Sequence, residues 1–470
     1  MRQLAEFEEH IRSMVLAFRA LPKRQTIRVV SHHDCDGICA CAILVRALNQ
    51  ENIPYSLSIF PNLSESIIRG LAEESYATYV FADFGAGQMQ DLNRHLHQKT
   101  VFILDHHPTK VKPHPSFHSL NPHDFGIDGS TEISGAGVAF HFATALNKRN
   151  EDMAHIAIIG ALGDVQESQG FKELNERILR IAVEKKLIEV RKGLRFFGLQ
   201  SRPIHKLLAY SSELIIPGVT GSESGAIQFL KSLKINPKKG SGWKLLDDLA
   251  EEEKKNLIAG IVLSRLEEKN PEDIFTNVYV LLKEDGPFSD AREFSTMLNA
   301  CGRLNRASVG IGACLGDKKM KEKTLRCLAE YKRMIMEAIN WIEKKKGEPE
   351  QKQVIAKETY LLINAEDKIL STMIGTIASI LSKSNNYPPH YLFLAMAQSL
   401  DKTTKISLRI SGKNTSINLK ELVMEMTKGI GREAGGHFNA AGAVIPTEKE
   451  KLFISQALPI LEMAGMEETV

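Results

Sequence analysis

Long apolar runs are missing from the 470-residue sequence, and none approaches the ~20 residues that a membrane-spanning helix needs. The N-terminus shows no signal-peptide pattern. Six cysteines without disulfide-scaffold spacing argue against a secreted, disulfide-stapled class. A strong charge of one sign is also missing, since 60 Lys and Arg against 57 Asp and Glu give a net charge of +3. We therefore expect a soluble protein of the reducing cytoplasm, with any polyanion site confined to a local patch.

The sequence is too long for a single ordinary core, so two or three domains are expected. A hydrophobic share of 43% and a charged share of 25% supply enough material for packed cores. We place the domain limits as follows: an N-terminal domain over 1–190, a bridging or insertion region over 191–317, a connecting helix over 318–347 and a C-terminal domain over 348–470.

Short β-branched strands alternate with amphipathic helices along the first hundred residues. The predicted strands cover 26–30, 55–60, 79–82 and 101–104, and the predicted helices cover 1–20, 38–48 and 64–74. This alternation is typical of βαβ units and predicts an α/β fold with a mostly parallel sheet. Further on we predict a loop or linker at 236–242, a charged helix at 245–261, a long helix at 318–345, and strands at 359–364, 391–397 and 405–410.

Four clusters of metal-binding side chains each adjoin an apolar run. They are Ser31 to Gly37, Phe81 to Asp83, Leu104 to His107 and Gly160 to Asp164. Three of them follow predicted strands, and ligands bind beyond the carboxyl ends of parallel strands. In the first cluster His32, Asp34 and Asp36 alternate, so we expect them on one side of an extended segment. Carboxylates mixed with imidazoles suit two Mn²⁺ or Mg²⁺ ions sharing one carboxylate, the centre of a phosphoesterase.

Each cluster taken alone has a plainer interpretation. The first could be a solvated turn, the Asp-His-His tripeptide could arise by chance, and Asp83 could cap a helix. Their joint order on consecutive strand ends favours the metal site. Cys35, Cys39 and Cys41 lie close by, but small buried helical residues explain them better than thiolate ligands do.

The C-terminal region carries a glycine-rich run from Gly429 to Gly442. Consecutive glycines permit a backbone N–H nest for an anion, and His437 can add a donor, but tight turns and close packing look the same. Arg409, on a predicted strand, either contacts phosphate or faces solvent. The stretch from Arg292 to Arg306 holds three arginines that either meet a nucleic-acid backbone or cap a helix. The residues alone leave these alternatives open.

The four clusters resemble motifs I to IV of the DHH phosphoesterase superfamily. The run Gly435-Gly436-His437 with Ala440-Ala441-Gly442 resembles the signature of its DHHA1 C-terminal domain. With the arginine-containing stretch between them, the combination is similar to the archaeal RecJ-like exonucleases, including the nuclease associated with the GINS replication complex. The resemblance implies a DHH domain and a DHHA1 domain with a cleft between them. It also implies a two-metal centre that prefers Mn²⁺, with Mg²⁺ as an alternative.

The resemblance also implies residue roles. The metal ligands would be His32, Asp34, Asp36, Asp83, His106 and Asp164, with Asp83 bridging. His107 would contact the scissile phosphate and Asp105 would support the histidine pair, while Arg303, Arg409, Gly435, Gly436 and His437 would bind the substrate. One departure is Cys35, where the family often has a small residue such as alanine, and we expect oxidation sensitivity there.

The function that follows is a metal-dependent exonuclease that acts on single-stranded DNA, with RNA as a further substrate, in DNA replication or repair. The GINS complex or a repair helicase would be the protein partner. One alternative is a phosphodiesterase for oligoribonucleotides or small nucleotides, and a second is a non-catalytic replication scaffold. The full ligand set argues for activity. Aromatic residues, 7% of the chain, identify no base-stacking platform.

Overall fold

The structure is a computed structural model that describes most of the chain. The described residues are 2–22, 24–167, 170–211, 214–268, 270–346, 353–384, 386–412, 417–430 and 433–467, without the side chains of 2, 433, 436, 437, 466 and 467. The chain divides into two compact units, Met1–Leu328 and Ala329–Val470. Within the described ranges, no helix combines the length and the apolar character that crossing a membrane requires.

Five parallel strands form the sheet of the first unit, in the spatial order β2-β1-β3-β4-β5. They are β1 (Ile27–His32), β2 (Tyr55–Phe60), β3 (Thr78–Ala82), β4 (Thr100–Leu104) and β5 (Phe117–Leu120). The first four confirm the predicted strands to within two residues at each end, and the fifth was not predicted. Because the strands run parallel, their carboxyl ends meet at one edge of the sheet. The predicted α/β class is confirmed.

Helices cover both faces of this sheet. They are α1 (Arg2–Arg19), α2 (Cys35–Gln50), α3 (Glu65–Glu73), α4 (Met89–His95), α5 (Gly135–Leu146), α6 (Ala154–Gly163) and α7 (Glu173–Glu184). Val29 and Phe102 are buried with side chains of α1, α2 and α5, whereas Val30 and Ile103 are buried with side chains of α3 and α4. Neighbouring strand residues point to opposite faces, so this division is the three-layer packing that parallel strands require.

The region after α7 folds around a core of its own. Its elements are β6 (Ile188–Leu194), α8 (Ile204–Ala209), α9 (Glu223–Ser232), β7 (Lys238–Lys239), β8 (Gly242–Trp243), α10 (Glu251–Leu263) and β9 (Phe275–Leu281). Strands β6 and β9 pair antiparallel, and Ile204, Leu257 and Ile274 are fully buried in this core.

Two predictions in this region need correction. The predicted loop or linker at 236–242 includes a small β-hairpin, and Gly240 supplies the positive φ of 60° that its turn needs. The charged helix begins at Glu251 and not at Leu245. The Glu253 carboxylate accepts a hydrogen bond from the Ala250 backbone N–H at 3.0 Å, which fixes the start of α10 there.

Three helices follow: α11 (Ala291–Arg303), α12 (Ala307–Cys314) and α13 (Lys318–Lys346). Phe294 and Leu298 of α11 are buried in the same core as α2 and α5. Gly302 lies against the backbone of the first cluster, where an added Cβ would stand 1.6 Å from the His33 carbonyl oxygen. Helix α11 therefore borders the predicted metal site. The predicted domain limits at 190, 317 and 347 stay an interpretation.

The second unit contains a six-stranded mixed sheet in the order β10-β11-β12-β13-β15-β14. Its strands are β10 (Val354–Ala356), β11 (Tyr360–Asn364), β12 (Leu392–Gln398), β13 (Thr403–Ile410), β14 (Glu433–His437) and β15 (Ala440–Pro446), and its helices are α14 (Ser371–Ser382), α15 (Leu419–Met426) and α16 (Glu450–Glu467). Among the described strands of this unit, β11 and β12 pair parallel and the other neighbours pair antiparallel. Leu394, Leu408 and Phe453 lie in its core. This unit confirms the predicted C-terminal α/β domain.

Candidate metal centre

The first cluster spans a strand end and a helix start. His32 ends β1, Asp34 is the N-cap of α2, and Asp36 lies in its first turn. The Asp34 Oδ1 accepts the Gly37 N–H at 3.0 Å, as an N-cap should. The expectation of an extended segment is therefore wrong: His32, Asp34 and Asp36 are brought together by the turn into the helix. An added Cβ at Gly37 would stand 2.4 Å from the His32 carbonyl oxygen, which explains the glycine.

Asp83 immediately follows β3 and adopts a left-handed backbone with φ of 55°. Aspartate tolerates this conformation better than most residues, and the Asp83 N–H is held by the Leu104 carbonyl at 2.9 Å. The side chain is buried between two histidines. Its Oδ2 lies 3.5 Å from His32 Nδ1, and its Oδ1 lies 3.2 Å from His106 Nε2.

Three polar residues follow β4 and contact different partners: Asp105, His106 and His107. The Asp105 carboxylate accepts hydrogen bonds from the His106 N–H and the Ala86 N–H at 2.8 Å each, and from His107 Nδ1 at 2.8 Å. His106 Nδ1 lies 2.6 Å from the Gly129 carbonyl oxygen. A carbonyl only accepts, so Nδ1 carries the proton and Nε2 is left to face the carboxylates.

Asp36 and Asp164 complete the centre. The Asp36 carboxylate accepts the Gly135 N–H at 2.6 Å and the Ala136 N–H at 3.0 Å, both from the first turn of α5. Asp164 caps the end of α6. His106 Nε2 lies 3.7 Å from Asp36 Oδ2 and 3.9 Å from Asp164 Oδ2. The start of α2, the end of α6 and the segment after β4 thus bring three donors close together.

The donors form three overlapping groups in which the ligand atoms lie within 4.8 Å of one another. The groups are Asp83 with Asp105, His106 and His107; His32 with Asp34 and Asp83; and Asp36 with His106 and Asp164. Asp83 faces His32 with one oxygen and His106 with the other. Its buried Oδ1 accepts no well-aligned hydrogen bond from the described residues, although His106 Nε2 lies 3.2 Å away. A buried acceptor without a well-aligned donor is costly, and a cation held by Asp36, His106 and Asp164 would satisfy it. The donor set therefore fits divalent ions.

Burial and neighbouring charges shift the pKa values of Asp34, Asp36 and Asp164 in the metal-free protein. Burial raises the pKa of Asp36 well above its usual range, and the nearby charge of Asp83 adds to this effect. Burial likewise raises the pKa of Asp164 to about 6, with Asp83 and Asp34 contributing. For Asp34 burial acts in the same direction, but the adjacent His32 outweighs it and lowers the pKa. Asp36 and Asp164 thus bind protons more readily than ordinary carboxylates, whereas Asp34 binds them less readily.

For the histidines, burial and the neighbouring carboxylates shift the pKa in opposite directions. Burial alone would lower the pKa of His32, but Asp34 and Asp83 outweigh it and raise the pKa to about 10. The same balance raises the pKa of His106 well above its usual range. For His107 the Asp105 carboxylate outweighs burial and raises the pKa to about 9. In the absence of metal, His32 and His106 therefore hold protons that a cation must displace.

The cysteines near the centre are buried and free. Burial raises the pKa of Cys35 to about 11, and its Sγ contacts the Ile159 carbonyl oxygen at 3.4 Å. A buried, protonated thiol reacts slowly with oxidants. Burial and the raised pKa therefore argue against the expected oxidation sensitivity of Cys35, which stays a prediction, while the interpretation of Cys35, Cys39 and Cys41 as small buried helical residues agrees with the structure.

The predicted substrate-binding residues lie in several elements. Arg303 ends α11 and is half-buried. In the second unit, the Arg409 guanidinium donates to Ser379 Oγ at 3.0 Å and to the Ala441 carbonyl at 3.2 Å. Gly435 and Gly436 pair with Gly442 and Ala441 within an antiparallel ladder. The run is thus an edge strand and not a nest, because its backbone is extended. The His437 backbone ends β14, and its side chain lies outside the described residues.

Sequence reasoning missed several residues around the centre. An added Cβ at Gly135 would stand 2.5 Å from Asp83 Oδ1, and one at Gly160 would stand 2.5 Å from Asp36 Oδ1. Asn299 Oδ1 accepts the Cys35 N–H at 3.1 Å. The run Ser134-Gly135-Ala136-Gly137, a capping serine before small residues, is the signal that could have revealed the α5 N-terminus.

Three family models match along the chain. The model of the DHH family, N-terminal domain, matches residues 26–163, that of the DHH-CID domain matches 196–277, and that of the DHHA1 domain matches 353–462. The first match includes five of the six predicted metal ligands and ends one residue before Asp164. The chain belongs to the DHH family. Its predicted resemblance to DHH and DHHA1 proteins is confirmed.

One relative extends over nearly the whole chain. An uncharacterized protein of Methanocaldococcus jannaschii is 31% identical over 443 residues, which cover 93% of each sequence. The similarity to this archaeal protein therefore covers 93% of the chain and is not confined to one domain.

Solved structures share the fold. RecJ of Thermus thermophilus in complex with Mn²⁺ matches 97% of this chain with a TM-score of 0.56 at 17% identity, and this chain spans 55% of that protein. An exonuclease RecJ bound to manganese matches with a TM-score of 0.56 at 16% identity, covering 97% of this chain and 94% of the other. CDC45 of Entamoeba histolytica matches with a TM-score of 0.58 at 14% identity, covering 93% and 95%. At these identities the likeness concerns the fold alone.

Proposed function

We propose that this DHH protein is a metal-dependent exonuclease that hydrolyses phosphodiester bonds at the end of a single-stranded nucleic acid. The observation that carries the proposal is the Asp83 carboxylate, which is buried between two donor groups with one oxygen toward each. A shared carboxylate is what a two-metal phosphoesterase needs. The RecJ-like fold and the DHH and DHHA1 matches support the reaction class.

In this proposal two divalent ions, preferably Mn²⁺ and alternatively Mg²⁺, are the cofactors. His32, Asp34 and Asp83 would hold one ion, and Asp36, His106 and Asp164 would hold the other together with Asp83. Two RecJ structures that share the fold are described as containing manganese, which supports the choice. When bound, such ions polarise phosphoryl oxygens and stabilise a leaving oxygen.

His107 is the residue best suited to contact the scissile phosphate. Its ring is about half exposed, whereas the Asp105 carboxylate that holds its Nδ1 is buried. With a pKa raised to about 9, the ring is positively charged at neutral pH. It would therefore donate a charge-assisted hydrogen bond to a phosphate oxygen. Asp105 would orient this ring and the main chain of His106, and so act as a positioning residue.

Arg303, Arg409, Gly435, Gly436 and His437 would bind the remainder of the strand. Arginines contact phosphates through charge-assisted hydrogen bonds, and an edge strand offers unpaired backbone groups. We further propose a role in DNA replication or repair, with the GINS complex or a repair helicase as the partner. The shared fold with CDC45 supports a place near replication assemblies.

The decisive experiment compares wild-type protein with Asp83→Asn on end-labelled single-stranded DNA, single-stranded RNA and a dinucleotide, with Mn²⁺ or Mg²⁺. Asp367→Asn is the matched control, because that side chain is 78% exposed. We expect wild type and control to shorten the long strands stepwise, and Asp83→Asn to leave them intact.

Other outcomes would select the alternatives. Cleavage of the dinucleotide alone would make the protein a phosphodiesterase for small nucleotides. If a folded wild-type chain binds metal and cleaves none of the three substrates, the chain is a non-catalytic scaffold. Equal rates for wild type and Asp83→Asn would show that the hydrolysis occurs elsewhere.

A further inference from the structure

A buried glutamine lies behind the metal centre. Gln166, only 5% exposed, follows the end of α6 by three residues. Its Nε2 lies 2.8 Å from Asp164 Oδ2, 2.8 Å from the Gly129 carbonyl oxygen and 3.2 Å from the Ile133 carbonyl oxygen. All three partners are acceptors, so Nε2 donates to all of them and shares its two protons.

The orientation of this amide is fixed by its surroundings. Three acceptors on one side require the nitrogen there, and the oxygen must face the other way. On that side the Asn175 Nδ2 donates to Gln166 Oε1 at 2.7 Å. Asn175 lies in the first turn of α7 and is fully buried. Helix α7 therefore sets the direction in which Gln166 points.

The Gly129 carbonyl connects Gln166 to a second predicted ligand. The same oxygen accepts the hydrogen bond from His106 Nδ1 at 2.6 Å. Only glycine fits there, because an added Cβ would stand 2.0 Å from the His106 carbonyl oxygen. One amide thus holds the Asp164 carboxylate directly and the His106 ring through a shared carbonyl.

These two ligands belong to the same donor group, with Asp36 as the third member. The other group is held differently. Asp34 of that group accepts a backbone N–H, that of Gly37. A change at Gln166 therefore affects one group directly and the other only through the shared Asp83.

We propose that Gln166 is a positioning residue that aligns Asp164 and His106 for one ion of the two-metal site and sets the affinity of that ion. The inference rests on the proposed function for the identity of the ions and goes beyond it by separating the two sites. Loss of a group that orients a ligand typically lowers metal affinity about 10–100-fold. The structure therefore predicts two ions that can be weakened independently.

The test is a Mn²⁺ titration of the full chain, with free ion measured by electron paramagnetic resonance, which yields two dissociation constants. Gln166→Met keeps the length of the side chain but removes its donors. Gln25→Met is the control, because Gln25 Nε2 donates to Thr78 Oγ1 at 2.7 Å away from the centre. We expect Gln166→Met to weaken one ion about 10–100-fold and to leave the other within about threefold, while the control retains both affinities.

A second variant keeps the test decisive if Gln166→Met fails to fold. Asn175→Leu has a similar shape and removes the donor that orients Gln166, so it should weaken the same ion to a smaller extent. The inference would be overturned if both dissociation constants of the folded variants were unchanged, or if both rose equally. Binding of fewer than two ions by wild type would also overturn it. A wild-type chain that binds two ions without cleaving nucleic acid would instead overturn the proposed function alone.

Discussion

Among the described carboxylates, Asp83 has one oxygen toward His32 and the other toward His106, one histidine from each donor group. Its removal should therefore affect both ions, whereas removal of Asp164 should affect one. Asp83→Asn and Asp164→Asn preserve shape and delete one charge each. Asp83 lies 3.5 Å from His32 Nδ1 and 3.2 Å from His106 Nε2, whereas Asp164 forms a close contact with His106, at 3.9 Å, and none with His32 among the described contacts. The two variants therefore separate a shared ligand from a single-site ligand.

The expected magnitude follows from mass action. When free Mn²⁺ stands at about 100 times the dissociation constant of each ion, one bound ion stabilises the fold by about 2.7 kcal/mol, and two by about 5.4 kcal/mol. Asp164→Asn should retain roughly half of the wild-type stabilisation by Mn²⁺. Asp83→Asn should retain almost none.

The assay is thermal unfolding of wild type and both variants, each with and without Mn²⁺, at matched protein concentration. The shift caused by the ion is compared within each variant, so that any change in the metal-free stability cancels. Undiminished stabilisation of Asp83→Asn by Mn²⁺ would refute the shared-ligand geometry. Complete loss in Asp164→Asn would show that the two sites are one cooperative unit.

Three further outcomes are expected. Asp34→Asn should lose Mn²⁺ affinity but keep the helix cap. Asp34→Ala should lose both, and its free energy of unfolding should be lower by about 1 kcal/mol. Equal stability of the two variants would contradict the capping role. Because the pKa values of His32 and His106 are raised, both rings are protonated at pH 7 in the metal-free protein. Binding of Mn²⁺ should therefore release about two protons, and Mn²⁺ affinity should rise with pH. Calorimetry in buffers of different ionisation enthalpy measures this release, and its absence would contradict the prediction. Gly135→Ala should abolish hydrolysis, because the added methyl group would stand 2.5 Å from Asp83 Oδ1. Gly70→Ala is the control, since its methyl group would meet open space. This control should retain full activity with an unchanged or higher melting temperature.

The sequence allowed the site region to be predicted because the relevant signals are local. Apolar strands such as Thr100–Leu104 are short, β-branched or aromatic, and each is followed directly by polar donors. In a parallel sheet the carboxyl ends meet at one edge, so that strand order alone brings Asp83 and His106 together. Neither conclusion requires a long-range contact to be known.

The wrong predictions at the site arise where a local sequence pattern is compatible with two backbone geometries. The alternation of His32, Asp34 and Asp36 fits an extended strand, but Asp34 is also a strong N-cap and Gly37 permits the tight approach of a helix. The cap determined the outcome. In the C-terminal run, glycines compatible with a nest instead pair as an edge strand, because Gly435 has a ladder partner in Gly442 that is distant in sequence.

The residues that no motif revealed are those whose important partners are distant in the sequence. Gln166 orients Asp164 from two positions away, but its importance comes from the Gly129 carbonyl and from Asn175, which only the fold brings to it. A glutamine in a sequence is ordinarily a surface residue, so its burial is the observation that makes it informative. Because each of its polar atoms is matched, the amide has one orientation available. The affinity of one metal ion should therefore depend on a residue with no ligand atom of its own.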